Sequence, residues 1–140
     1  MAVTATPALP QKPNNGKVQI ANADAQAQKT VYTGGANGTK IAALVAQSTD
    51  TSARDVQISI TNGGTSYPLG TVTVAIGAGN SGAVASQNML VPSAIPGLPI
   101  DSDGNPYIFL ASASDTLTVS ALTTVTAAKL ITVTAIAADF

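Results

Sequence analysis

Asp101, Asp103 and Asn105 place oxygen-bearing side chains at alternate positions in the stretch Ile100–Tyr107, IDSDGNPY. Alternate oxygens are how a calcium loop begins. Such a loop also needs glycine at its sixth position, for the sharp bend, and a bidentate glutamate at its twelfth. Counted from Asp101, the sixth position is Pro106 and the twelfth is Ser112. Proline cannot adopt the glycine conformation, and serine cannot chelate in two-toothed fashion. The same residues suit a turn well. Asp and Asn side chains bond to nearby backbone, Gly104 supplies a positive φ, and Pro106 starts the outgoing segment. The expectation is therefore a turn. Asp101, Asp103 and Asn105 are the residues a cation would have to use.

A second candidate is Gly77–Gly82, GAGNSG, which matches the glycine spacing of a dinucleotide-binding loop. That loop must open a helix within a βαβ unit. The following AVASQNMLV is a poor helix and Pro92 stops it, so a wide loop is expected. Asn37-Gly38-Thr39 has the form of a glycosylation sequon and is read as a turn. Arg54 and Asp55, with Asp50 nearby, are expected to form a surface ion pair, and Arg54 is also a candidate contact residue.

The chain holds no Cys, no His and no Glu, so its acids are seven Asp. Ser-His-Asp and Cys-His catalysis, sulfur-ligated zinc, disulfides and His-based metal sites are thereby excluded. The aspartates are scattered singly, apart from Asp101 and Asp103, which leaves no paired carboxylates for acid–base work. No catalytic residue and no cofactor is expected. Net charge is −1 and aromatic residues make up 4% of the chain. Neither a basic field for nucleic acid or anionic lipid nor a platform for stacking bases is available.

These residues sit in a chain of 140, a length that suits one domain. Only 9% of residues are charged, against about 25% in ordinary soluble domains. Thr, Ser, Asn and Gln supply the missing polarity. No stretch is apolar enough over sufficient length for a membrane-spanning helix. The N-terminal MAVTATPALPQKPNNGK lacks the basic and apolar regions of a signal peptide. The expectation is a protein made and used without Sec export.

Alternation of apolar and polar residues dominates the rest. Residues 17–21, 29–33, 40–47, 54–61, 69–76, 107–110, 115–121 and 128–137 read as strands. Val56, Ile58 and Ile60 share one face, as do Ile131 and Val133. Asn62-Gly63-Gly64 marks a tight hairpin turn. Met89-Leu90-Val91 and Ala94-Ile95 are candidate short strands, confined to edges by Pro92, Pro96 and Pro99. The β-branched enrichment suits pleated surfaces. The fold expected is all-β: an antiparallel sandwich of about eight strands over residues 17–140, jelly-roll-like. Pro7, Pro10 and Pro13 make residues 1–16 an extended arm, ended by a turn at Asn14-Asn15-Gly16.

Residues 29–140 resemble small structural proteins of tailed-bacteriophage virions, of the head decoration type. The likeness lies in the order of a Gly-rich turn, an ALV strand, TDTSARDVQISITNGG, a Gly-rich loop, and YIFLASASDTLTVSA. It implies a sandwich without catalytic residues that binds the major capsid protein on the outside of a virion, as a homo-oligomer with a trimer favoured. Such a protein is made in the host cytoplasm. Leu9, Pro10, Lys12 and Pro13 of the arm, with Arg54, are the expected contact residues. A carbohydrate-binding or host-adhesion module is the alternative, and a line of exposed tyrosines among Tyr32, Tyr67 and Tyr107 would mark it.

Overall fold

A computed structural model describes residues 9–140. Its nine strands are β1 (Lys12–Ala21), β2 (Lys29–Thr33), β3 (Thr39–Ser48), β4 (Arg54–Asn62), β5 (Thr65–Val74), β6 (Gln87–Asn88), β7 (Ile108–Leu110), β8 (Asp115–Ala121) and β9 (Leu130–Asp139). One 3-10 turn, Asn22–Asp24, follows β1. All pairings are antiparallel. They build a five-stranded sheet, β1-β9-β3-β6 with β7 also on β3, and a four-stranded sheet, β2-β8-β4-β5.

The topology follows from one long hairpin rolled up on itself. Its tip is the two-residue turn between Asn62 and Thr65, where Gly63 and Gly64 have φ of 57° and 81°. Two successive positive φ values match the right-handed twist of the strands they join, and glycine adopts them without strain. Away from the tip, β4 pairs β5, β3 pairs β6 and β7, β2 pairs β8, and β1 pairs β9. Rolling the ribbon brings β4 beside β8 and β3 beside β9. With the three-residue β7 set aside, this is the strand order of a jelly roll.

The buried faces meet in one core. Ile20, Ile41, Leu44, Ala46, Ile131, Val133 and Ala135 come from the larger sheet, and Val56, Ile58, Val72, Val74, Leu117 and Val119 from the smaller. Burial of a Val, Leu or Ile side chain contributes about 1.5–3 kcal/mol, so the alternating strands supply the main driving force. Met89, Leu90 and Ile95 add to the core from outside the long strands.

The strand expected over 128–137 is Leu130–Asp139, that over 69–76 ends at Val74, and three further departures from the sequence reading are larger. The arm expected over residues 1–16 is only partly an arm. Residues 1–8 lie outside the described residues, Leu9 and Pro10 are exposed, and residues 12–16 are the first half of β1, paired along β9. Asn14-Asn15-Gly16 is therefore strand, not turn. Gly16 sits there because a Cβ would come within 2.1 Å of the Val31 carbonyl oxygen, so only glycine lets β2 lie so close. Next, the short sixth strand is Gln87–Asn88, while Met89-Leu90-Val91 and Ala94-Ile95 are loop that turns Met89, Leu90 and Ile95 inward. Finally, β5 begins four residues before Leu69, since the hairpin pairing carries through Pro68. Proline is admissible there because β5 is an edge strand.

Candidate interaction surface

Among the described residues every aspartate except Asp103 accepts a hydrogen bond within the fold. In the Ile100–Tyr107 turn, Asp101 Oδ1 accepts the backbone N–H of Asp103 at 3.0 Å and of Asn105 at 2.8 Å. The Asp101 N–H donates to the Asn105 carbonyl, and Gly104 has φ of 85°. The Asn105 N–H bond, aided by the others, holds the Asp101 carboxyl below its usual value. The loop is closed by its first aspartate. Asp103 stands exposed beside it, and among the described residues no three of His, Cys, Asp or Glu gather as a metal-binding set. The Gly77–Gly82 loop turns through Gly77 and Gly79, both with positive φ, into the Ser81–Val84 bridge and β6.

Asp50 is the most enclosed acid. The β3–β4 and β8–β9 loops both cross between the sheets at one end of the sandwich, and Asp50 ties them together. Arg54 Nε donates to its Oδ2 at 2.8 Å, the Thr126 N–H to the same oxygen at 3.1 Å, and the Thr126 hydroxyl to Oδ1 at 2.6 Å. The Ser52 N–H completes the set. Burial alone would raise the Asp50 carboxyl, but these donors outweigh it and hold the group far below the carboxylate range. The Asp50 side chain is 0% exposed and that of Arg54 16%. The surface ion pair expected between Arg54 and Asp55 is not what forms: Arg54 pairs with Asp50 in an internal clamp. Arg54 directs its remaining donors to Thr123 and Thr126, and Asp55 instead accepts from the Thr73 hydroxyl.

A second clamp closes the other end. Asp139 Oδ1 accepts the Tyr32 hydroxyl at 2.9 Å and the Thr39 hydroxyl at 2.5 Å, and Thr39 in turn receives the Gly35 N–H. Burial, then the neighbouring Asp139, raises the Tyr32 phenol above its ordinary value. Asp139 was not singled out in the sequence, because its partners come from strands 100 or more residues away.

The expected contact residues do not form one surface. Leu9 (68% exposed), Pro10, Lys12 and Pro13 lie at the Asp139 end, and Arg54 lies at the Asp50 end. What the fold does gather is the outward face of the five-stranded sheet. Cross-strand partners share a face, which puts Pro13, Ala138, Lys40 and Phe109 in one row and Asn15, Ile136 and Ala43 in the next. Lys17, Thr134, Val45 and Asn88 form a third. Phe109 is 50% exposed and Ile136 51%. The Phe109 ring stands 4.9 Å from Tyr107, edge-on, and 6.0 Å from Phe140. Lys40 Nζ lies 4.5 Å over the Tyr107 ring, a favourable cation–π position, and its charge helps lower Asp101. Beside this ridge runs a groove of about 230 Å³ lined by Ala42, Ala43, Val45, Leu90 and Pro106, with Asn88 and Asn105 at its lips. Tyr107 and Phe109, two apart in sequence, were the available signal, since alternate residues of a strand share a face.

The tyrosines do not form a line. Tyr32 is in the core, Tyr67 is 56% exposed on β5, and Tyr107 packs against Phe109. The outward face of the four-stranded sheet is different again: Thr30, Asp55 and Thr73 are exposed and Gln57, Thr71 and Thr116 half-buried, while Ser59, Thr118 and Ser120 in the same rows are buried.

The chain is thus an antiparallel jelly-roll sandwich with one aromatic outer face and one hydroxyl-rich outer face. No family model matches it, and neither does any curated protein or any solved structure.

Proposed function

We propose that this chain is a non-enzymatic structural protein of a tailed-bacteriophage virion, binding the major capsid protein on the outside of the shell as a decoration or stabilising protein and acting as a homo-oligomer. The observation that carries the reading is a jelly roll whose acids, Asp103 apart, are engaged in turns, ion pairs and clamps while its outward faces present threonine hydroxyls and apolar side chains. Such faces suit attachment rather than turnover, and packed cores deform little under load. The resemblance of residues 29–140 points the same way. Jelly rolls build viral capsid proteins but also lectins and cupins, so the fold alone does not choose among them. The scattered tyrosines speak against the carbohydrate-binding alternative.

The test is cryo-electron microscopy of virus particles that contain the chain. Density for the sandwich on the outer surface of the shell is expected. Density confined to the tail, or particles from which the chain washes away without trace, would overturn the reading.

A further inference from the structure

Asn15, Asn37 and Asn62 are each followed directly by glycine. In such a pair the glycine nitrogen can reach the side-chain amide carbon of the asparagine, because no Cβ stands in its way. Attack needs that nitrogen exposed, free of a hydrogen bond and able to swing toward the side chain. The fold grants these conditions unequally.

Gly16 lies in the β1–β9 ladder and is pressed against β2, where a Cβ would come within 2.1 Å of the Val31 carbonyl oxygen. Gly38 is buried. Its N–H donates to the Gly35 carbonyl at 3.0 Å, and its own carbonyl accepts the Phe140 N–H at 3.1 Å. Gly63 is held in neither way. It is exposed at the tip of the β4–β5 hairpin, a Cβ there would meet nothing within 4 Å, and its N–H has no partner among the described residues.

Asn62 faces an acid. It is the partner of Asp115 across β4 and β8, and its Nδ2 donates to Asp115 Oδ1 at 2.6 Å. That bond is the first cause that holds the Asp115 carboxyl below its ordinary value. Asp115 Oδ2 in turn accepts the Ala111 N–H across the turn between β7 and β8. The Asn62–Asp115 contact is exposed, so water competes for both partners and the amide is released readily.

We propose that Asn62–Gly63 is a site of spontaneous deamidation, and that the carboxylate formed there works against Asp115 and loosens the hairpin tip. The Gly63 nitrogen gives its proton to solvent base and attacks Asn62 Cγ. An N–Cγ bond forms, the Cγ–Nδ2 bond breaks, and the amide nitrogen takes up a proton and leaves as ammonia. Water then adds to one carbonyl of the five-membered imide. Cleavage of the new bond gives aspartate. Cleavage of the original peptide bond gives isoaspartate, which carries the side-chain carbon within the backbone. Water is the only co-reactant. Either product replaces a hydrogen-bond donor with a carboxylate opposite Asp115, and like charges opposed across strands destabilise a sheet. The inference goes beyond attachment to a shell and does not depend on it.

Peptide mapping by mass spectrometry tests it, on the full chain held at mildly alkaline pH both folded and in urea. In urea the three sites should convert at similar rates, since only their neighbours in sequence then differ. In the folded chain Asn62 should convert first, roughly fivefold to tenfold faster than Asn37, the factor that one backbone hydrogen bond imposes. Gly63→Ala, which sets a Cβ beside the attacking nitrogen, should slow Asn62 alone. Asn62→Asp, which installs one product directly, should melt below wild type at neutral pH. The deficit should shrink as pH falls through the carboxylate range and one acid of the pair takes up a proton. The ranking of the wild-type sites needs no variant, so it stands if either variant misfolds. Asn15 or Asn37 converting as fast as Asn62 in the folded chain overturns the site. So does a folded Asn62 that stays intact while the urea sample converts. An Asn62→Asp chain that melts with wild type at neutral pH overturns the loosening.

Discussion

The two ends of the sandwich solve one problem with different chemistry. At one end Asp50 stitches the β3–β4 loop to the β8–β9 loop, with a guanidinium among its donors. At the other, Asp139 on β9 holds Thr39 of the same sheet and Tyr32 of the opposite sheet through neutral hydroxyls. Both are single carboxylates placed where the chain passes between sheets. A charge removed from water must be compensated, either by an opposite charge or by strong hydrogen bonds. The contrast teaches how a chain with six cations in all distributes them. The Arg54 ion pair is placed at the fully buried acid, and the half-buried acid at the other end is left to hydroxyls. Each end is held by a single acid that fastens one part of the chain to another.

The largest expected effect is at the buried end. Asp50→Ala strands the Arg54 guanidinium and the Thr126 N–H without their acceptor. Breaking such a pair from one side costs about 3–5 kcal/mol. Urea unfolding should show that loss through a lower midpoint at unchanged slope. Asp139→Ala leaves the Thr39 and Tyr32 hydroxyls unpaired but no bare charge, and about 1–3 kcal/mol is expected. Equal losses at the two ends would erase the distinction drawn between them.

Acid sharpens the same contrast. The Asp50 carboxyl titrates well below its ordinary 3.8 in the folded chain. The unfolded chain therefore takes up the proton first as pH falls. The clamp's contribution is whole above about pH 5 and drains away below it, as pH falls toward the folded value. The melting temperature should drop between pH 5 and 3 in wild type, and drop less steeply in Asp50→Asn. A variant slope as steep as wild type would show that another acid governs the acid limb.

How much of this was legible in the sequence follows from range. β2 and β8 run over the very residues whose alternation marked them, and β3 and β4 extend theirs by only one or two, because period-two burial is written locally. The hairpin tip was legible for the same reason, as two adjacent glycines after Asn62 admit few turns. β1 was misjudged at its start, since Asn14-Asn15-Gly16 carries turn residues but is held extended by ten paired positions on β9, the last strand. Tertiary pairing overrode local preference there. The sequence pointed to Arg54 with its neighbour Asp55, whereas Arg54 pairs with Asp50, and the clamp they form depends on Thr126, which no local pattern connects to them. The Asp139 clamp and the Phe109 face lie wholly in contacts between distant strands, and only the order of the rolled hairpin brings them together.

The smallest effect is also the most selective. Tyr32→Phe removes one hydroxyl from Asp139 while keeping the ring in the core, and Thr39 still donates to the carboxylate. A loss of about 1 kcal/mol is expected, the net worth of one hydrogen bond. Its signature should be alkaline rather than acid. Burial and the adjacent Asp139 raise the Tyr32 phenol above its ordinary 10.0, so above that pH the unfolded chain releases its proton while the folded chain still holds it. Stability is full below pH 10 and falls as pH rises through the folded value. Wild type should therefore lose melting temperature between pH 10 and 11 faster than Tyr32→Phe does, with the two curves converging at the alkaline end. Parallel curves across that range would mean that the Tyr32–Asp139 contact does not carry the tie between the sheets, and the two ends would no longer be counterparts.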